Sequence, residues 1–186
     1  TYKPFGEENK LDVQVELNKT NLQILEPFTT GLFSGLLGEA SGNLHVGGGL
    51  SDPVFAGQIA VQGGRTTFDY LKTQILFSDT VQFQARQIKG VNWLLKDPEG
   101  NTARLNATLN FPKDKPFDMN LTADLNRFKL LNTLRDAKSY YYGTGFASGP
   151  MRISGTVDNL LIYANLKSER GTRLFIPLDR ELEAVS

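Results

Sequence analysis

GEASGNLHVGGGLSDPVFAGQIAVQGGRTTF, residues 38–68, returns near the C-terminus as GFASGPMRISGTVDNLLIYANLKSERGTRLF, residues 145–175. Aligned without a gap, Gly38, Ala40, Ser41, Gly42, Gly48, Gly64 and Phe68 fall on Gly145, Ala147, Ser148, Gly149, Gly155, Gly171 and Phe175. In each copy a small-residue turn ending at Gly42 or Gly149 feeds an alternating strand (Leu44, Val46; Met151, Ile153). A second glycine, an Asp52 or Asp158 corner and another alternating strand follow (Phe55, Gly57, Ile59, Val61; Ile162, Ala164, Leu166), closed by Gly64 or Gly171. A hairpin module used twice implies units that bury their apolar faces on their neighbours.

The flanking chain continues this pattern. Leu11, Val13, Val15 and Leu17 alternate with polar residues, as in a strand with one wet face. Ala103, Leu105, Ala107, Leu109 and Phe111, then Phe117, Met119, Leu121, Ala123 and Leu125, form a hairpin about the turn at 112–116, one face apolar and the other polar. Residues 65–68 and 73–83 read as short strands turned at 69–71 and at Ser78 and Asp79. Residues 88–95 are apolar on both faces, which leaves their register open, and the DPEGN at 97–101 is a strong turn. Leu22, Leu25, Phe28, Leu32, Phe33, Leu36 and Leu37 recur at helical spacing. With Pro27, Gly31 and Gly35 among them, they predict a short or broken helix starting near Glu26 and Pro27. It is either a lid over one end of the sheet or an amphipathic segment that meets membrane. Residues 127–142 read as loop or a turn of helix, and Leu174, Ile176 and Leu178 close the chain.

About a dozen strands at about 4.8 Å spacing make a sheet on the order of 50–60 Å long, greasy on one face throughout. With so little helix to cover it, the sheet has to curl. The expected fold is therefore all-β: one domain over residues 1–186, a long, strongly curved antiparallel meander folded into a half-pipe with an apolar interior, plus one or two short helices. Periodicity alone leaves two readings of that interior open, an ordinary β-sandwich core and a lipid-lined groove.

Composition narrows the function. The chain has 186 residues, 40% hydrophobic and 22% charged, with twenty basic and twenty acidic side chains that cancel. No basic stripe invites nucleic acid, and without cysteine there is no disulfide frame or thiol chemistry. No apolar run approaches the roughly 20 residues of a membrane helix. The abrupt ends suggest a piece of something longer.

Catalysis has little to work with. His45, the single histidine, falls on the polar side of its strand with no partner for a triad or zinc site. The carboxylates Asp12, Glu16, Asp118 and Asp124 are dispersed on outward positions. The glycines from Gly143 to Gly149 lack the lysine ending and the helix of a phosphate loop, so no nucleotide is expected. The sequons at Asn18, Asn106 and Asn120 decorate wet strand faces. Tyr140, Tyr141 and Tyr142 have no basic groove beside them. No enzymatic activity and no cofactor are expected.

The order of these motifs resembles a known family. It runs from the Asp52-Pro53 corner to FP at 111–112, FDMNLTADL at 117–125, FKLLNT at 128–133, YGTGFASG at 142–149, ISGT at 153–156 and GTRLFIPL at 171–178. Together they resemble the C-terminal region of TamB-like proteins, in particular the Bacteroidetes-type relatives. TamB is the inner-membrane component of the translocation and assembly module, within the AsmA-like superfamily. The resemblance implies a β-taco whose apolar trough carries phospholipid between inner and outer membranes during outer-membrane biogenesis. It also implies an outer-membrane BamA-type barrel partner with a link to protein secretion. The setting would be the periplasm of a Gram-negative bacterium, with an N-terminal inner-membrane helix that is not in this sequence. The alternative is an interaction module that docks the barrel protein without transport. The residues expected to line the groove, against lipid or a detergent in its place, are Leu44, Val46, Phe55, Ile59, Val61, Leu105, Leu109, Phe111, Phe117, Met119, Leu121, Leu125, Met151, Ile153, Ile162, Leu166, Leu174 and Ile176.

Overall fold

The computed structural model describes residues 10–29, 33–50, 52–69, 71–113, 115–135, 141–156 and 158–177. They form one twelve-stranded antiparallel sheet. Its strands are β1 (Lys10–Asn21), β2 (Phe33–Gly49), β3 (Asp52–Phe68), β4 (Thr73–Phe77), β5 (Thr80–Ala85), β6 (Gln87–Lys96), β7 (Thr102–Asn110), β8 (Asp118–Thr133), β9 (Tyr142–Thr156), β10 (Asn159–Ala164), β11 (Lys167–Ser168) and β12 (Arg173–Phe175). Each strand neighbours the next in a plain meander, with two shared lanes. β4 and β5 lie end to end between β3 and β6, and β10, β11 and β12 lie along β9. Sharing leaves nine lanes. The sheet is therefore about 40 Å across its hydrogen-bonded direction, shorter than the strand count alone suggests.

The curl comes from bulges. Register slips between Leu17 and Thr20 on β1, Gly90 and Trp93 on β6, and Leu125 and Phe128 on β8. At the slips Lys19, Asn92 and Arg127 take φ of 49°, 55° and 51°. Each extra residue bends its strand and would leave an N–H unpaired. The neighbouring strand supplies the acceptor: Ser41 Oγ for Lys19 (2.9 Å), Asn106 Oδ1 for Asn92 (2.8 Å) and Ser148 Oγ for Arg127 (2.9 Å). Ser41 and Ser148 are matched positions of the two similar stretches, so those stretches share a device for bending the strand before them. Beside the same bends, Gly42 (φ 147°) and Gly149 (φ 126°) face Leu17 and Leu125. A Cβ added at Gly42 would collide with the Gln58 carbonyl oxygen, so only glycine allows the backbones this close.

Burial concentrates at and beyond the bends. Leu95, Ala103, Leu125, Phe128 and Ala147 form one cluster, and Leu22, Leu36, Ala40 and Val61 another. Phe77 packs against both and stacks on Trp93, ring centroids 5.7 Å apart. Gly90 makes room for the Trp93 ring, whose Nε1 donates to the Thr80 carbonyl at 2.9 Å. Because β6 and β7 stop at the Asp97 turn, β8 runs past them to meet the β3–β4 turn, where the Asn132 N–H donates to the Leu71 carbonyl at 3.0 Å. Asp97, 2% exposed, accepts from the Glu99, Asn101 and Lys129 backbone and from Asn101 Nδ2, which satisfies its buried carboxylate.

Three expectations change. The short helix expected near Glu26 and Pro27 forms as one helical turn, Glu26–Thr29, after a 3-10 turn at Leu22–Leu25, but it does not continue through the apolar residues spaced after it. Phe33, Leu36 and Leu37 belong to β2, where Gly35 and Gly38 take positive φ and Phe33 pairs with Phe68; strand pairing outweighs the helical spacing. Residues 127–133, expected as loop, extend β8, and β9 begins at Tyr142. The strand at 65–68 is the end of a single 17-residue β3. Leu32, Tyr140 and Leu178 lie outside the described residues.

Candidate lipid groove

Directly paired residues share a face, so the registers trace rows across the sheet. One row runs Val15, Leu44, Gly57, Phe83, Ile88, Leu109, Met119, Gly155, Leu160. Two residues further along the strands, toward the bends, a parallel row runs Leu17, Gly42, Ile59, Val81, Gly90, Ala107, Leu121, Ile153, Ile162. Every position in both rows is aliphatic, aromatic or glycine. The row between them, on the opposite face, runs Glu16, Asn43, Gln58, Gln82, Lys89, Thr108, Asn120, Ser154, Leu161. It is polar until its last lane. The sheet thus carries two continuous apolar rows along its whole hydrogen-bonded length, with the wet side behind them.

Most of the expected lining residues join this face. Leu44, Leu109 and Met119 occupy the first row, Ile59, Leu121, Ile153 and Ile162 the second, and Val46 pairs with Phe55 beside the first. Val61 and Leu125 are buried in the two clusters at the bends, and Leu105, Met151 and Leu166 pack against the larger one. Phe111 and Phe117 stack at 5.7 Å where the β7–β8 hairpin turns. Leu174 and Ile176 lie elsewhere, lining a separate apolar cleft of about 370 Å³ with Leu71, Leu130, Leu131 and Tyr141.

Several residues on the face were not among those expected. Val15 and Leu17 were legible from the alternation in β1. Val81, Phe83 and Ile88 were obscured by the broken β4–β5 lane and by the bulge at Asn92. That bulge explains the two-sided look of 88–95: it lets Ile88 and Leu95 both serve the inside while Val91 and Leu94 remain exposed.

Away from the bends the face is neither sealed nor bare. Leu44, Val46, Phe55, Leu109, Met119, Leu121 and Ile153 are all partly exposed. At the rim, Arg86 Nε donates to Asp52 Oδ1 at 2.9 Å and Nη2 to Oδ2, tying the start of β3 to the β5–β6 turn. Those hydrogen bonds, which outweigh the opposing effect of desolvation and are aided by the nearby guanidinium charge, hold the Asp52 carboxyl below the usual carboxylate range. His45 is exposed, its Nε2 2.8 Å from Asp12 Oδ1. Among the described residues no cluster of His, Cys, Asp and Glu is placed to hold a metal ion, and no helix is long and apolar enough to cross a membrane.

No curated protein and no solved structure matches the chain. The sequence profile of the TamB C-terminal domain matches residues 92–186, that is 95 of 186 residues. The matched stretch runs from the bulge in β6 through both apolar rows on β7 to β10, and the chain belongs to the TamB C-terminal domain family.

Proposed function

We propose that the two apolar rows carry phospholipid acyl chains along the sheet, between inner and outer membranes in the periplasm of a Gram-negative cell. Family membership supports a role at the membranes of the cell envelope. The observation that carries the finer reading is the run of rows across nine lanes without one polar side chain, on a face left partly open. Each methylene kept from water there is worth about 0.8 kcal/mol, while head groups stay at the wet opening. Uniform lining suits movement, since a chain sliding from lane to lane meets the same environment, and no energy source is required of this segment.

Native mass spectrometry of the gently purified protein tests this. Phospholipid should be retained by the wild type and lost in Met119→Arg and Leu121→Arg while the circular dichroism spectrum is kept. A wild type that binds no lipid, even when offered phospholipid vesicles, would overturn it.

A second reading, docking to an outer-membrane barrel protein of the BamA type, is favoured by one edge. β10 is exposed along its whole length, with Leu160, Leu161, Ile162 and Tyr163 apolar on both faces, and among the described residues no strand pairs its outer side. Such an edge is a template for strand addition. Site-specific cross-linking from Leu161 to the barrel protein, with none from β1, is the expected signature.

A further inference from the structure

The wet face of the sheet holds its own concavity, a cleft of about 850 Å³ over β7 to β10. Its walls are the outward residues of four consecutive strands, Arg104 and Asn106, Thr122 and Asp124, Pro150 and Arg152, Tyr163, then Asn165 just beyond β10, with Ala123, Met151 and Ala164 of the intervening row also lining it. Registers hold these groups together. Arg104 pairs with Asp124, and Asn106, Thr122, Arg152 and Tyr163 form one cross-strand row. The Asn165 N–H donates to the Pro150 carbonyl at 3.0 Å, which fixes the edge of the cleft.

The hydrogen-bonding capacity in this cleft is largely unspent. Arg104 turns aside to Asn92 Oδ1 at 3.2 Å. Among the described residues, the side chains of Asp124, Arg152 and Tyr163 have no hydrogen-bond or ion-pair partner, although Asp124 pairs with Arg104 across β7 and β8 and lies diagonally from Arg152, whose own partner on β8 is Thr122. Tyr163 is 64% exposed, an aromatic ring on the polar side of an edge strand.

We propose that this cleft binds an acidic saccharide. A sugar carboxylate takes the fork of Arg152 or Arg104, ring hydroxyls donate to Asp124, Thr122 and Asn165, and the apolar face of a sugar ring lies on Tyr163. The carboxylate of Asp124 is what separates this ligand from a simple anion. It repels a compact phosphate but accepts from the hydroxyls that flank a sugar acid. The cleft is shallow and lies open to solvent, its outward wall residues exposed, as an extended glycan requires.

The test is titration calorimetry and amide chemical-shift mapping on the whole chain with tri-galacturonic acid, maltotriose and inorganic phosphate, at matched ionic strength. Saturable binding of tri-galacturonic acid is expected, with shifts centred on Thr122, Arg152 and Tyr163. Arg152→Gln and Tyr163→Ala should each weaken it about tenfold. Lys89→Gln, which removes an equal charge from the same face outside the cleft, should leave it unchanged, and melting curves should show that all three variants fold. No saturable binding, equal affinity for maltotriose, displacement by phosphate at equal concentration, or an equal loss in Lys89→Gln would each overturn the proposal. Lipid retention is measured separately, so the groove and the cleft fail independently.

Discussion

Leu121 and Leu125 sit four residues apart on the same face of β8. Leu125 is 6% exposed among Ala103, Phe128 and Ala147, whereas Leu121 stays partly open in its row with Ala107 and Ile153. Side-chain chemistry does not separate them. What differs is their place relative to the bulge at Arg127, which bends β8 so that residues near it meet across the bend while residues further out do not. Burial in this sheet is therefore set by where strands bend. The bends hold the fold together, and the straight segments leave apolar surface available.

This contrast is broken most severely by charge. Leu125→Arg should abolish folding, because an unpaired guanidinium at the bend has neither water nor partner, whereas Leu121→Arg should keep the fold and lose lipid. Far-ultraviolet circular dichroism with native mass spectrometry reads both. If the two variants unfold alike, the open face is a sealed interior and transport fails with it. Truncation grades the same difference: Phe128→Ala should cost about 3–5 kcal/mol in urea unfolding, against less than about 1 kcal/mol for Leu109→Ala in lipid-free protein. Comparable losses would erase the distinction between bend and groove.

The two serine-capped bulges sharpen the comparison. Ser41→Ala and Ser148→Ala each strand one backbone N–H and should each cost about 1 kcal/mol, seen as matching shifts in the urea midpoint. A large loss at one and none at the other would mean that the bends differ in their support. The smallest effect is expected at the rim. The Asp52 carboxyl is lowered in the fold, so its bond to Arg86 stabilises above the usual carboxylate range and that contribution disappears as pH falls through its folded value. Asp52→Asn should accordingly be slightly less stable than wild type at neutral pH and indistinguishable from it in acid, by thermal melting across pH.

Much of this was legible in the sequence, for a physical reason. The β7–β8 hairpin alternates strictly, and a period of two assigns both faces without any knowledge of neighbours, so Leu105, Leu109, Met119 and Leu121 could be placed on one side at once. Legibility failed where the period broke. A bulge at Asn92 shifts alternation by one residue and makes 88–95 look apolar all round. At Phe33, Leu36 and Leu37, glycines with positive φ imitate helical spacing inside a strand. Leu174 and Ile176 alternate correctly, but alternation says nothing of which end of a long sheet a short strand joins, and they line a different cleft.

The apolar rows run along the hydrogen bonds and across the strands, so their length is counted in strands. Any strand that pairs in register with β1 or β10 and carries an apolar residue opposite Val15 or Leu160 lengthens that apolar row by about 4.8 Å without altering the lanes already laid. Reach is thus a modular quantity in this architecture: distance is gained by repetition, with no part of the existing path redesigned.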